Sequence, residues 1–422
     1  MAFKGPQVIK GQGNSGSGAP DKDRVCALVI GGQAATGLAL NTPLRIVHPS
    51  QAEAVGINAS YDANNGILAF DHIEEHFRLA PESELIIMLT ARPTTDAGFT
   101  GLFAAAGPVD GLIRSQVGKD VKYIFMAFNP TSAVVPSFAA NGLVDQVKAC
   151  LDPAQALIDA HFDEFRYIDG IMLDGWKIDN VASLEDLRDE ACPNVSVLVA
   201  VDGYNLDTNP AYASLVAVGA ASGMFAVRQI NENIGSVEVL NPPAAMRGFE
   251  SYPLGNATRW LSAKLPNFDD ISIYPEPVQR DMADKGYIFA GSFNGYEGFY
   301  LSGDPTCVDA NSDYAYINNN CVWNAAARIV RNAMIPKIRS VLKKDPTTGF
   351  LRATTALALQ DRAQKRLDVL VNRDLVSAVA VFLDPEQTPS ATVPLVVNVQ
   401  VVKDGILHAM DINLGLFNNI SA

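Results

Sequence analysis

The chain has 422 residues, 48% of them hydrophobic, which is enough to bury a large core and to fill two or three domains. Its formal net charge of −14 excludes a general nucleic-acid binder, which needs Lys and Arg gathered on the face that meets phosphate. Five widely spaced cysteines, Cys26, Cys150, Cys192, Cys307 and Cys321, fit reduced thiols rather than a disulfide framework, and no C-x-x-C pair offers a zinc site.

Residues 1–10 alternate like a strand, and the Gly/Ser-rich run 11–18 after them has no apolar side chain to bury. The two together predict a short strand on a tether, residues 1–20. Met1 to Pro6 have no apolar leader core, so no secretory signal is expected. An α/β region opens with a strand at residues 24–30, and further strands are expected at 85–90, 121–128, 167–173 and 195–201. Helical patterns at 143–165 and 211–225 lie among them. This alternation predicts a largely parallel sheet covered by helices, an α/β domain over residues 21–285. The uncharged stretch 208–227 is interrupted by Asn209, Pro210, Ser214 and Ser222 and reads as a buried helix rather than a membrane span.

From residue 286 the texture becomes α+β. Short strands at 287–290 and 298–301 precede two long helices, at about 322–342 and 354–372. In the first, Val322, Ala326, Ile329, Val330 and Ala333 share a face, and Pro336 is placed to kink or end it. In the second, Ala356, Leu359, Ala363, Leu367 and Leu370 do the same. This second domain covers 286–392, and residues 393–422 form a terminal hairpin in which Asp404-Gly405 joins the apolar runs 393–402 and 406–416.

Two short motifs invite an enzymatic reading. Gly11-Gln12-Gly13-Asn14-Ser15-Gly16 matches the dinucleotide fingerprint, but Pro20, Asp21 and Lys22 follow it instead of a helix to receive pyrophosphate. His72-Ile73-Glu74-Glu75-His76 matches H-x-x-E-H, in which two His one turn apart hold zinc and Glu activates water. A soluble α/β zinc enzyme built on His72, Glu75 and His76 is therefore the alternative function. Against it stands an ordinary amphipathic helix over 69–79, with Phe70, Ile73 and Phe77 inward and His72, Glu74, Glu75 and His76 partly solvated. His48, His161 and His408 form no evident catalytic pairing, Asp169 and Asp174 at a strand end read as turn chemistry, and no P-loop occurs.

Charge is polarised along the chain. Residues 321–373 hold eleven Lys or Arg against three Asp, a local +8, whereas residues 374–422 carry −4 and residues 1–320 carry −18. On a straight helix Arg328, Arg331, Arg339 and Lys343 would lie within about 60° of one line. A contrast of this size favours an acidic partner.

The order of features from Asp284 onward resembles the C-terminal region of contractile tail sheath proteins. The carriers are Lys285-Gly286-Tyr287-Ile288-Phe289-Ala290, Gly295-Tyr296-Glu297-Gly298-Phe299-Tyr300, Asp304-Pro305-Thr306-Cys307 and Ser312-Asp313-Tyr314-Ala315-Tyr316-Ile317. The basic helix, Thr347-Thr348-Gly349-Phe350-Leu351, the second helix and Val381-Phe382-Leu383-Asp384-Pro385-Glu386-Gln387 follow in the same order. Upstream, Gly56-Ile57-Asn58-Ala59-Ser60-Tyr61-Asp62-Ala63-Asn64-Asn65 and residues 71–78 are also similar, most of all to a sheath subgroup of phage-like elements in Bacteroidetes-type bacteria.

The resemblance implies an outer α/β domain and an inner C-terminal sheath domain of mixed sheet with two long helices, carrying extended N- and C-terminal strand arms. It implies a non-catalytic subunit without cofactor or metal that stacks in rings around an inner tube and contracts to drive the tube through a target envelope. Its partners would be further copies of itself, the inner tube, the baseplate and the tail terminator, with no nucleic acid or membrane. It would act in a phage tail or phage-tail-like particle assembled in the bacterial cytoplasm. Strands shared between subunits would involve Phe3, Gln7, Val8 and Ile9 of the arm, and Leu395, Val397, Val399, Val401, Ile406, Met410, Ile412 and Leu414 of the hairpin. Arg328, Arg331, Arg339 and Lys343 would face the tube.

Overall fold

The computed structural model describes residues 23–139, 142–390, 392–408 and 410. Its centre is a seven-stranded sheet in the order β2-β3-β1-β4-β5-β6-β9. These strands are β1 (Cys26–Gly32), β2 (Leu44–Ile46), β3 (Leu85–Ala91), β4 (Tyr123–Ala127), β5 (Gly170–Asp174), β6 (Val195–Leu198) and β9 (Tyr287–Ile288). Only β2 runs antiparallel to its neighbour; the other ladders are parallel, and β1, β4, β5 and β6 are buried along their whole length. Near-continuous apolar runs such as Leu85 to Leu89 are what a sheet covered on both faces requires. The last strand, Tyr287–Ile288, lies beyond residue 285 and is hydrogen-bonded to β6. Two short ribbons flank the sheet, β7 (Val201–Asp202) with β8 (Ala263–Lys264) and β10 (Ala290–Gly291) with β11 (Tyr300–Leu301).

Helices α1 (Ala69–Leu79) and α3 (Val218–Ala226) pack together beside the sheet. Their approach depends on two small residues: a Cβ at Gly219 would stand 2.2 Å from the His72 carbonyl oxygen, and one at Gly223 would stand 2.8 Å from Leu79 Cβ. Phe225 of α3 then sets its ring 4.9 Å from Tyr123 and 5.8 Å from Phe125 of β4, while the Arg24 guanidinium covers the Phe225 ring at 4.0 Å. Burying each such ring contributes about 1.5–3 kcal/mol.

The strands expected at 24–30, 85–90, 121–128, 167–173 and 195–201 are found, with ends shifted by at most three residues, while the one expected at 287–290 is split between β9 and β10 and the one at 1–10 lies outside the described residues. The helix expected over 143–165 is instead two, Asp145–Lys148 and α2 (Leu151–Asp163), and the one expected over 211–225 begins only at Val218. Residues 211–217 are drawn into sheet contacts instead: Val216 bridges Val201, and the Ala213 carbonyl accepts from the Trp176 indole at 2.9 Å.

Helix α4 spans Ile317–Met334 and α5 spans Ala353–Asn372. The five residues expected on the inner face of α5, Ala356, Leu359, Ala363, Leu367 and Leu370, are its buried residues. Strands β12 (Ala378–Phe382) and β13 (Asn398–Val402) form an antiparallel ribbon against α5. One hydrophobic core runs without a break from the sheet into α4, α5 and this ribbon, and a small second core of Leu351, Ala356, Leu359 and Leu383 closes the far end.

The hairpin expected at Asp404-Gly405 is a correction: it is not formed among the described residues, and most of its second run, 409 and 411–416, lies outside them. Strand β13 pairs with β12 instead, in the register Ala378↔Val402 to Phe382↔Asn398, and residues 403–408 form no strand. The reason is local: the Asp404 carboxylate is held by Asn231 Nδ2 (2.8 Å) and Ser377 Oγ (2.7 Å), and Lys403 Nζ reaches Asn319 Oδ1 (2.7 Å). These bonds fasten the dipeptide to the body of the subunit rather than leaving it to turn.

Candidate functional site: a strand edge and a basic segment

The H-x-x-E-H motif lies on α1 as expected, but its side chains are not partly solvated. His72 and His76 are buried beneath α3, Glu75 is buried beside Arg78 and Arg259, and of the four polar residues only Glu74 is exposed. Both ring nitrogens of His76 are taken, Nδ1 by Ser222 Oγ (2.8 Å) and Nε2 by Ser83 Oγ (2.9 Å). Glu75 accepts two bonds from Arg78 (2.9 and 2.7 Å) and lies 3.4 Å from Arg259. An imidazole with both nitrogens engaged cannot ligate, and a carboxylate flanked by two guanidinium groups already has its counter-charge, so the geometry is that of a packed helix, not a zinc site. Among the described residues no cluster of three or more His, Cys, Asp or Glu is arranged to hold a metal ion.

Burial pushes His72 down to about 4 and His76 to about 3. Both therefore take up protons in the unfolded chain near pH 6.5 while staying neutral when folded, so their contribution to stability is complete above pH 6.5 and is lost as pH falls through about 4. Asp62, Asp174 and Asp304 work the other way, raised by burial to about 7, 6 and 6, so that folding gains from acid in that range. Chemical denaturation of His76→Gln against wild type isolates the histidine part. The wild-type advantage at pH 7 is expected to shrink toward pH 4, by at most about 1.4 kcal/mol per pH unit.

The ribbon β12–β13 has one closed edge and one open edge. On β12 the Val381 N–H donates to Gln364 Oε1 (2.9 Å) and Gln364 Nε2 donates to the Val379 carbonyl (3.1 Å), while the Leu383 N–H donates to Gln360 Oε1 (3.3 Å). Glutamines on α5 thus occupy the backbone groups that an added strand would use. Backbone groups alternate sides along a strand, so Ala378, Ala380 and Phe382 face β13, and on β13 the N–H and C=O of Val399 and Val401 face outward. No described element of the chain pairs with that edge. Leu395, Val397, Val399 and Val401 are half-buried and alternate with exposed neighbours, which places one side of β13 on the core. Ile406 lies in irregular chain and Met410 is exposed; Phe3, Gln7, Val8, Ile9, Ile412 and Leu414 lie outside the described residues.

The expected basic stripe on α4 is a second correction. Pro336 ends the helix, so the four cations do not share a line. Arg328 turns inward, 3.5 Å from the fully buried Asp169, whose carboxylate also accepts from Asn324 Nδ2 (2.9 Å). Arg331 lies 4.3 Å over the Phe165 ring. Arg339, at φ +61°, and Lys343 are exposed beyond the helix in a segment that also exposes Ile338 and Val341. Sequence reasoning missed the edge-capping glutamines, because one Gln on a helix face carries no local sign of what it bonds.

Solved structures of contractile sheath proteins share this fold over nearly the whole chain. A chain of the anti-feeding prophage helical sheath in its contracted state is 12% identical, with a TM-score of 0.57 over 99% of this chain and 100% of that one. The PVC sheath complex of an extracellular contractile injection system, also contracted, matches at 11% identity and TM-score 0.57 over 98% of each chain. A chain of the anti-feeding prophage baseplate matches at 12% identity and TM-score 0.57 over 99% of each. The chain belongs to the DUF2586 family, whose N-terminal domain model matches residues 3–304 and whose C-terminal domain model matches residues 313–421. Comparison with curated proteins finds no match.

Proposed function

We propose that this chain is a non-catalytic sheath subunit that polymerises as stacked rings around an inner tube and contracts to drive the tube through a target envelope. The observation that carries this reading is the end-to-end likeness of its fold to sheath subunits. The open β13 edge supports it, because unpaired backbone groups on a strand are a template for pairing with another chain. The N-terminal strand of a neighbour, residues 1–10, is the natural donor, and a tether of ten residues spans at most about 33–36 Å. Arg339 and Lys343, exposed on the basic segment, face the tube, and repetition around each ring makes individually weak charge pairs additive. The energy of contraction resides in the extended lattice rather than in a nucleotide. Baseplate and terminator proteins cap the two ends, and assembly takes place in the bacterial cytoplasm. Among the described residues no helix is long and apolar enough to cross a membrane.

Electron microscopy of the purified chain tests this: tubes or high-mass polymers are expected, and none after deletion of residues 1–10. Arg339→Glu with Lys343→Glu should give sheaths that assemble empty or contract early in the native particle. A small, monodisperse particle from the full-length chain under all assembly conditions overturns the sheath reading.

A further inference from the structure

A chain of touching aromatic rings crosses the surface where α2 meets α4. Tyr314 lies 6.3 Å from Trp323, Trp323 lies 5.6 Å from Phe162, and Phe162 lies 5.4 Å from Tyr167. Phe165, three residues beyond Phe162, continues the patch beneath Arg331. Tyr314, Trp323, Phe162 and Phe165 are exposed by 39%, 41%, 42% and 58%, far more than structural aromatics of a core. Isolated apolar residues on a surface are ordinary, but a contiguous run of Trp, Tyr, Phe and Arg is the composition of an interface centre.

The backbone at Phe165 points the same way. Helix α2 ends in a Schellman motif, with Arg166 N–H bonded to the His161 carbonyl (2.9 Å) and Phe165 N–H to the Phe162 carbonyl (2.8 Å). This motif needs a left-handed residue, for which glycine is the default, yet the position holds an exposed phenylalanine at φ +61°. Within the isolated subunit this bulky, mostly exposed side chain has only its stack under Arg331 to set against the cost of the left-handed backbone. Glu164 beside it is clamped by both Nη atoms of Arg114 (2.7 and 2.8 Å), which fixes the turn.

We infer that the patch Tyr314–Trp323–Phe162–Phe165, with Arg331, docks the acidic α/β region of a second copy of this chain. Charge selects that occupant. Trp323 and Arg331 at one end of the patch belong to the +8 segment 321–373, and although Phe162, Phe165 and Tyr314 lie in residues 1–320, that stretch carries −18 in all and so offers carboxylates elsewhere on any other copy. An arginine stacked on an aromatic ring keeps its edge N–H groups free to bond carboxylates, so Arg331 presents donors to an acidic partner. The inference rests on the sheath reading only in supposing that copies meet in a lattice.

Trp323 supplies the measurement. Trp176 and Trp260 are 5% and 2% exposed, so Trp323 is the tryptophan within reach of a neutral quencher such as acrylamide. Sedimentation velocity and acrylamide quenching are followed together over a concentration series of the full chain. Quenching is expected to fall as the chain associates. Phe165→Gly should raise the melting temperature of the unassociated chain, by relieving the strained turn, yet weaken association at least tenfold; Arg331→Glu should weaken it similarly. A purely structural residue would not give opposite signs for folding and association. Polymers that form with Trp323 still fully quenchable, or a Phe165→Gly chain that associates as wild type, overturn this inference and leave the sheath reading standing. Small oligomers that bury Trp323 without ever forming tubes support the inference and count against the sheath. Protection of Trp323 only when a different component of the particle is added overturns the choice of a second copy.

Discussion

Replacing Val399 by proline is expected to leave the subunit folded and to stop it polymerising. The Val399 N–H faces the open edge of β13, so proline there removes no ladder bond to β12 and fits an edge strand whose N–H points outward. The donor that an incoming strand would use is gone, and the ring blocks its approach. The adjacent change, Gln400→Pro, has the opposite outcome. Gln400 is paired with Ala380 and its N–H faces β12, so proline removes a ladder bond of the ribbon itself and destabilises the subunit by about 1–3 kcal/mol. Circular dichroism melts and electron micrographs of the two variants, side by side, separate edge from fold. A Val399→Pro chain that builds tubes of normal length would falsify strand addition at this edge.

Arg259→Met is expected to cause the largest loss of stability of any single surface-remote change, about 3–5 kcal/mol. Arg259 is 12% exposed and is surrounded by three carboxylates from distant parts of the chain: Asp202 (2.6 Å, fully buried), Asp71 (2.7 Å) and Glu75 (3.4 Å). Asp202 also accepts from the N–H groups of Trp260 (2.9 Å) and Tyr204 (3.1 Å), capping the short helix that begins at Gly203. Removing the cation leaves the fully buried Asp202 carboxylate without its counter-charge, while Glu75 keeps Arg78. Urea titration measures the loss, and Arg259→Met combined with Asp202→Asn should be less damaging than the sum of the two, since the second change removes one of the stranded charges. Strict additivity would show that the pair does not interact.

Much of this architecture was legible in the residues. The face of α5 was read correctly from Ala356, Leu359, Ala363, Leu367 and Leu370, because a 3.6-residue period against one core leaves no other solution. The parallel strands were equally plain, being short apolar runs between turns. What escaped depended on partners far away in sequence. His72 and His76 on α1 looked half-solvated because nothing in their own segment announces that Gly219 and Gly223 let another helix lie on them. Asp404-Gly405 has the chemistry of a hairpin, yet Asn231 and Ser377 claim its carboxylate. The basic stripe required a straight helix through Pro336, and the residue flagged as a possible break is the one that dispersed it. In the candidate site the valines of β13 were visible as an alternating run, but which edge of the ribbon stays open is set by Gln364, whose capping of β12 has no signature in one dimension.

The unbroken core that links the sheet to α4, α5 and the ribbon has a mechanical meaning. Close-packed interiors are nearly incompressible and pass strain along instead of absorbing it. A subunit built this way behaves as a stiff tile: a push on its α/β half arrives undiminished at the β13 edge. In the array proposed above, any large change of shape would then be taken up at the seams, by tilt and slide of whole bodies.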